Sequence, residues 1–177
     1  VYFTTRNEIK DSKGLYLDLN NVKNFFFENA IIFFCASISS IAKCETNTKI
    51  TNLINVKNTI ELINNLNNNC KIFYFSSHAV FDGDKKFYNE NDNTSPICEY
   101  GKQKVQVENA IKHNSHNSII RLSKVISKNI PLIFNWIKNI NENRNIYAFD
   151  DVFLAPISLP HIIKVILNYA FYYINQG

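Results

Sequence analysis

An α/β fold built on a doubly wound parallel sheet is what this sequence predicts, and three observations predict it. Short β-branched and aromatic runs alternate with longer stretches of helical apolar spacing along the whole chain, the pattern of successive strand and helix units. Two of the runs, residues 30–36 (AIIFFCA) and 72–75 (IFYF), are continuously apolar, as in strands covered on both faces. A length of 177 residues with 46% apolar and 19% charged residues suits one domain with a substantial core.

Residues 1–5 (VYFTT) form the first strand pattern, followed by Arg6 and polar residues as far as Gly14. Residues 15–19 (LYLDL) read as a second strand carrying Asp18 and Leu19, and Asn20 or Asn21 can cap a helix over 22–28. The strand at 30–36 leads into a polar connection over 37–48. Ile50, Leu53, Ile54, Val56, Ile60, Leu62, Ile63 and Leu66 then recur near helical spacing, which predicts one long amphipathic helix. The asparagine-rich run at 64–69 is its polar end and turn. The strand at 71–75 ends in two hydroxyls, Ser76 and Ser77. A helix over 100–112, a strand over 118–122 and a helix over 131–140 with Pro131 in its first turn follow. A short extended piece at 146–148 and an apolar helix over 159–174 complete the chain.

Composition removes several function classes. The net charge is only +4 and the lysines are scattered, so they read as solvated surface and not as a nucleic-acid footprint. The four cysteines, Cys35, Cys44, Cys70 and Cys98, form no CxxC pair and have no histidine at metal spacing, so no metal site and no disulfide is expected. Cys35 and Cys70 read as small buried side chains. The acidic loop with Asp82, Asp84, Glu90 and Asp92 lacks calcium-loop spacing and reads as a surface turn. The apolar runs at 30–36 and 165–174 are too short to span a bilayer, and no secretory signal opens the chain, so a cytoplasmic protein with no membrane partner is expected. The chain contains no methionine and begins at Val1 inside a strand pattern, so residues upstream are expected.

Doubly wound sheets bind ligands beyond the carboxyl ends of their strands, where Asp18, Ala36, Ser37 and Ser77 fall. Tyr100 and Lys104 are four apart on a helix and share a face. An unperturbed tyrosine has a pKa of about 10, and a neighbouring ammonium favours the phenolate. The phenol could then exchange a proton with a carbonyl oxygen, with Ser77 hydrogen-bonding the same oxygen.

The run Phe75-Ser76-Ser77-His78-Ala79-Val80-Phe81-Asp82-Gly83, followed by Tyr88, Glu90, Asp92, Pro96, Tyr100-Gly101, Lys104 and Glu108, resembles the extended short-chain dehydrogenase/reductase superfamily. Within it the chain is most similar to the dTDP-4-dehydrorhamnose reductase family. Cys35-Ala36-Ser37 with Lys43-Cys44-Glu45, Asn55-Val56, the strand ending at Arg121 to Ser123, and the segment from Asp150 to Pro156 resemble further motifs of that family in order. The resemblance implies a Rossmann-like fold in which Ser77, Tyr100 and Lys104 are catalytic. Asp18 and Leu19 would contact adenine, Ala36 and Ser37 would line the cofactor groove, Tyr100 and Lys104 would also bind the cofactor, and Arg6 would receive the 2′-phosphate of NADPH, with NADH the alternative. Ser77 and His78 would meet the substrate, a nucleotide-activated 4-keto sugar. His78 stands where the family has an aspartate, and Lys124 where it often has an aromatic residue; both touch substrate identity more than reaction type. A homodimer is compatible with the resemblance. Two other roles occur among relatives: a non-catalytic NADP-binding regulatory subunit, as in methionine adenosyltransferase, and an NAD-dependent epimerase or dehydratase.

The Gly-rich phosphate turn is missing. The four glycines, Gly14, Gly83, Gly101 and Gly177, have no such context. The resemblance therefore implies that residues 1–177 are a partial cofactor-binding domain that begins at the second strand, with most of the substrate domain beyond residue 177. Such a piece is expected to be inactive by itself.

Overall fold

The computed structural model describes residues 3–5, 7, 12–22, 27, 29–66, 70–127, 130–147 and 155–174. Contacts divide the chain into two units, Val1–Arg121 and Leu122–Gly177. The candidate functional residues fall in the first.

That unit is centred on β4, Lys71–Ser77. Its Ile72, Phe73 and Tyr74 are among the most deeply buried side chains of the described residues, as expected for a run with no polar alternation. Strand β3, Ile31–Phe34, pairs with it in parallel, Ile31 opposite Lys71 through Phe34 opposite Tyr74. Strand β5, Asn117–Leu122, flanks β4 on the other side, giving the order β3-β4-β5. Strands β1, Phe3–Thr5, and β2, Gly14–Tyr16, form a separate parallel pair. The doubly wound α/β class is as predicted, but the described strands form separate small sheets instead of one continuous sheet.

Two strand expectations need correction. Strand β2 stops at Tyr16, so Asp18 lies in the turn beyond it. Strand β3 is not covered on both faces: Phe33 is exposed, because β3 has one neighbour among the described strands and Phe33 faces away from the core. Phe33 stacks on Phe73 of the adjacent strand, with the ring centroids 5.3 Å apart.

The polar connection after β3 contains an unanticipated helix, α1, Ile41–Thr46, started by Ser40, whose Oγ accepts the Lys43 N–H. The predicted long helix, α2, is present as three contiguous pieces: Thr48–Asn52, a wider π turn at Leu53–Asn58, and Thr59–Leu66. Its Ile54, Leu62, Ile63 and Leu66 pack with Ile72 and Tyr74 of β4 and with Val107 and Ile111 of helix α3, Glu99–Ile111. Each such side chain contributes roughly 1.5–3 kcal/mol on full burial. The helix predicted over 22–28 lies largely outside the described residues.

In the second unit β6, Val125–Ile126, pairs in parallel with β7, Ile157–Ser158. Helix α4, Pro131–Asn141, has its proline in the first turn, and α5, Leu159–Ile174, follows β7 directly. The extended piece expected at 146–148 has no regular structure at 146 and 147, and residue 148 lies outside the described residues. Both short strands escaped sequence detection, because two residues are too few to show alternation.

The approach of α3 to the end of β4 is fixed by Gly101. A Cβ built there would stand 2.0 Å from the Ala79 carbonyl oxygen and 2.9 Å from Pro96 Cβ. Backbone atoms on one side and a ring on the other cannot both yield, so the helix would have to move. Gly101→Ala is expected to destabilise the protein by about 3 kcal/mol, read as a fall in the denaturant midpoint; an unchanged midpoint would show that this contact is not required.

Candidate active site at the carboxyl end of β4

The last residues of β4 are Ser76 and Ser77, so the strand runs two residues further than the sequence suggested. Ser77 is extended, and its Oγ accepts the Ala79 N–H at 3.2 Å, which opens a single 3-10 turn at His78–Val80. That bond occupies a lone pair and leaves the hydroxyl proton free to donate. Ser76 is buried, and its Oγ has no hydrogen-bond partner among the described residues. His78 is exposed.

Helix α3 starts against this turn. Cys98 caps it, its Sγ accepting the Gly101 N–H at 3.4 Å, and Glu99 N–H donates to Glu45 Oε1 of α1 at 2.8 Å. Orphan donors of the first turn are thus satisfied by side chains, and Tyr100 is held at the helix mouth. One turn on, Lys104 is only 5% exposed. Its Nζ donates to the Phe75 carbonyl at 2.9 Å and stands 4.7 Å from the centroid of the Tyr74 ring and 5.7 Å from that of Tyr100. Burial pushes the Lys104 ammonium down to about 8, with Glu108 acting against the fall.

Glu108 is itself buried and gripped by Arg121 of β5. Arg121 Nη2 donates to Glu108 Oε2 at 2.7 Å and Nε to both carboxylate oxygens at 3.1 and 3.2 Å, while Nη1 reaches the Glu90 carbonyl at 3.2 Å. The guanidinium also lies 5.2 Å from the Phe81 ring centroid. This is the multidentate, hydrogen-bonded geometry that a buried carboxylate requires.

Tyr100 is half-buried, and that burial pushes its phenol above the ordinary tyrosine range; the nearby Ser37 hydroxyl acts in the opposite direction. The expectation that Lys104 lowers this pKa is therefore corrected. The two share a helix face, but the ammonium is bonded to Phe75 and lies over Tyr74, so desolvation of the phenol dominates. The neighbouring Tyr74, more deeply buried, is raised much further.

The remaining predicted residues are placed unequally. Asp18 Oδ1 accepts from the Asn20 backbone N–H at 3.0 Å and from Asn20 Nδ2 at 2.8 Å, which organises the turn after β2. The Leu19 side chain belongs to the hydrophobic core and its carbonyl accepts from Asn58 Nδ2, so Leu19 cannot offer its side chain to a ligand. Ala36 is exposed at the end of β3 and Ser37 half-buried beside it. Cys35, expected to be buried, is exposed because it follows the last paired residue of β3, whereas Cys44 and Cys70 are buried. Arg6 lies outside the described residues.

The acidic loop is a turn: Asp82 accepts from Asp84 N–H and Tyr88 O–H, and Asp92 pairs with Lys85 at 2.8 Å. Among the described residues no cluster of His, Cys, Asp or Glu suits a metal ion, the four cysteines are free, and no helix is long and apolar enough to cross a membrane. A cavity of about 220 Å³ lined by Asn93, Thr94, Lys112, Ile119 and Arg121 among others includes none of Ser77, Tyr100 and Lys104. The candidate site is instead the open edge formed by the carboxyl ends of the strands.

Sequence reasoning missed a buried polar group behind the site. Gln103, between Tyr100 and Lys104, donates from Nε2 to Thr51 Oγ1 at 2.9 Å and accepts at Oε1 from Asn55 Nδ2 at 2.8 Å. Asn55 was visible as a motif residue; Gln103 carried no signal, since a glutamine inside Tyr-x-x-x-Lys reads as a solvated helix position.

Residues 8–175 match the family described as the RmlD substrate binding domain. A probable low-salt glycan biosynthesis reductase, Agl14 of Haloferax volcanii, is 31% identical over 98 residues, 54% of this chain and 33% of that protein. The methionine adenosyltransferase 2 subunit beta of Xenopus tropicalis is 25% identical over 127 residues, 71% of this chain and 36% of that protein. The chain thus spans about a third of the length of these relatives. A crystal structure of dTDP-4-dehydrorhamnose reductase from Bacillus anthracis in complex with NADP superposes with a TM-score of 0.70 at 23% identity, covering 80% of this chain and 52% of that one. The Rossmann-like α/β fold is shared.

The state of Lys104 has a consequence for stability. Its ammonium has a lower pKa folded, about 8, than its ordinary 10.5, so the unfolded chain binds more protons between those values and stability rises with pH across that window. Relative to Lys104→Met, the wild-type protein is expected to gain roughly 2 kcal/mol between pH 7 and 9.5, at about 1.4 kcal/mol per pKa unit. Urea unfolding of both proteins at the two pH values measures this; parallel changes would contradict it.

Proposed function

The chain belongs to the RmlD substrate binding domain family, and from that premise we propose that the protein it comes from reduces the keto group of a nucleotide-activated 4-keto sugar, using NADPH. The observation that carries the proposal is the convergence of Ser77, Tyr100 and Lys104 at one strand end, held there by the contact of Gly101 with Ala79. The relative named as a reductase and the NADP-bound neighbour support the class and the cofactor.

The residues present fit a dinucleotide laid across the strand ends. Ala36 is small and exposed, and Asp18 presents a carboxylate beyond β2. Asp18, Ala36 and Ser37 would hold the cofactor, with Tyr100 and Lys104 at its reactive end. Bound NADPH would supply hydride. Tyr100, kept protonated by burial, would give its proton to the substrate oxygen as that oxygen gains charge. Ser77 would donate its free hydroxyl proton as a hydrogen bond to the same oxygen. Lys104, fixed on the Phe75 carbonyl, places a positive charge beside the phenol that must lose its proton. Because that charge titrates near 8, reduction is expected to weaken above that pH.

A second reading has its own support. The match to a methionine adenosyltransferase subunit covers more of this chain than the match to the reductase, and a non-catalytic NADP-binding regulatory subunit would use the same groove. A stable partner enzyme on purification, with NADPH bound and no turnover, would favour that role.

The test is NADPH oxidation by the intact protein with a nucleotide-activated 4-keto sugar. Tyr100→Phe is expected to lower turnover by about 100-fold or more with little change in NADPH affinity. Wild-type turnover at the mutant's rate would remove Tyr100 from the assigned role.

A further inference from the structure

The buried polar group behind the site forms a closed circuit. Asn55 is 3% exposed and Gln103 1%. Asn55 holds both backbone groups of Ile38: its Oδ1 accepts the Ile38 N–H at 2.8 Å and its Nδ2 donates to the Ile38 carbonyl at 3.0 Å. Asn55 Nδ2 also donates to Gln103 Oε1 at 2.8 Å, and Gln103 Nε2 donates to Thr51 Oγ1 at 2.9 Å. Ile38 follows Ser37, whose hydroxyl faces the Tyr100 phenol, and Tyr100 is one turn before Gln103 on α3. The loop after β3 is therefore tied to the helix underneath, through Asn55 and Gln103, and Ser37 lies near Tyr100 at the rim.

The π turn makes the lower tie. Residues 53–58 widen α2 by one residue, and Thr59 Oγ1 fills the gap by donating to the Ile54 carbonyl at 2.9 Å. Such widenings are often found at functional sites, and here Asn55 lies inside one, reaching Ile38 and Gln103 at once. An amide buried this deeply is costly unless its groups are bonded; those of Asn55 and Gln103 are bonded within this circuit, with one further contact from Asn55 Nδ2 to Cys44 Sγ at 3.8 Å.

From this arrangement we infer that Gln103 is a positioning residue: through Asn55 and Ile38 it fixes the Ser37 hydroxyl against the Tyr100 phenol. A side chain at position 103 that cannot accept from Asn55 removes the tie between that amide and α3, so Asn55 and the Ile38 that it holds can shift, and Ser37 drifts. Loss of a few tenths of an ångström at Tyr100 is enough to slow a proton transfer that depends on alignment. The structural part stands on the bonds above; the effect on turnover rests on the reductase reading.

The test uses the intact protein with tyrosine labelled at Cζ, the Tyr100 resonance being identified by its loss in Tyr100→Phe. In Gln103→Leu, and in Gln103→Thr should the leucine variant fail to fold, the Ile38 amide is expected to exchange at least about 10-fold faster. The Tyr100 Cζ resonance is expected to move to the position it takes in Ser37→Ala. In turnover, kcat is expected to fall about 10-fold, and the Ser37→Ala, Gln103→Thr double variant to lose no more than the worse single. A folded Gln103 variant with wild-type Ile38 exchange and an unmoved Tyr100 resonance overturns the inference, as do losses in kcat that multiply. A wild-type protein that turns over no keto sugar, while the two spectroscopic changes occur, leaves the positioning role standing and overturns the proposed reaction instead.

Discussion

The close approach of α3 to the turn after β4 is the constraint on which the site depends. Gly101 meets the Ala79 backbone at a distance that admits no Cβ. Two residues before Ala79 is Ser77; one residue before Gly101 is Tyr100. A helix displaced by even a methyl group would separate the two hydroxyls and would lift Lys104 from the Phe75 carbonyl that it holds at 2.9 Å. The ends of the helix are secured in the same sense. Cys98 and Glu45 take up its first amides, and Arg121 grips Glu108 near its last turn. A backbone contact thus sets the distance, and side-chain bonds at both ends keep the helix from rotating about it.

Charge within this unit is arranged as a buried series. Arg121, Glu108 and Lys104 alternate in sign, and Lys104 faces two tyrosine rings. In such a series Coulomb attraction would hold every group ionised, while burial opposes it. For Glu108, two nitrogens of one guanidinium supply three hydrogen bonds that offset its burial. For Lys104 the balance goes the other way. One carbonyl and two ring faces do not replace the water an ammonium loses, and Glu108 is already committed to Arg121, so desolvation is the larger influence.

How much of this could be seen in the sequence depended on whether the signal was local. Strand β4 is an unbroken apolar run, helices α2, α3 and α5 carry apolar residues near helical spacing, and their extents came out within one or two residues. Helix α1 was hidden because Ala42 to Thr46 has only Cys44 to bury. The exposure of Phe33 and Cys35 depends on which strands flank β3, and no residue of β3 records its neighbours. At the site, the helical spacing correctly put Tyr100 and Lys104 on one face, but not the direction of the phenol's shift. Spacing says which groups are near, whereas the sign depends on how much water each has lost. The Asn55–Gln103 pair is 48 residues apart in the chain and rests on a π turn that 3.6-residue periodicity cannot express.

The same geometry bears on whether the groove serves catalysis or only binding. Holding a dinucleotide requires open strand ends with small and polar residues, the part that the proposal gives to Ala36, Ser37 and Asp18. Nothing in that task requires a lysine sealed to 5% exposure under Tyr74. An apolar side chain of similar length would pack there without the desolvation penalty and would stabilise the fold. The same holds for a phenol buried until it resists ionisation, beside a serine whose proton is free. These are costs to stability with no return in packing. In the proposed reaction they acquire a physical purpose, since a proton must then leave Tyr100 for an oxygen placed beside Ser77, and this is the argument that supports the proposal of reduction over a purely structural use of the same fold.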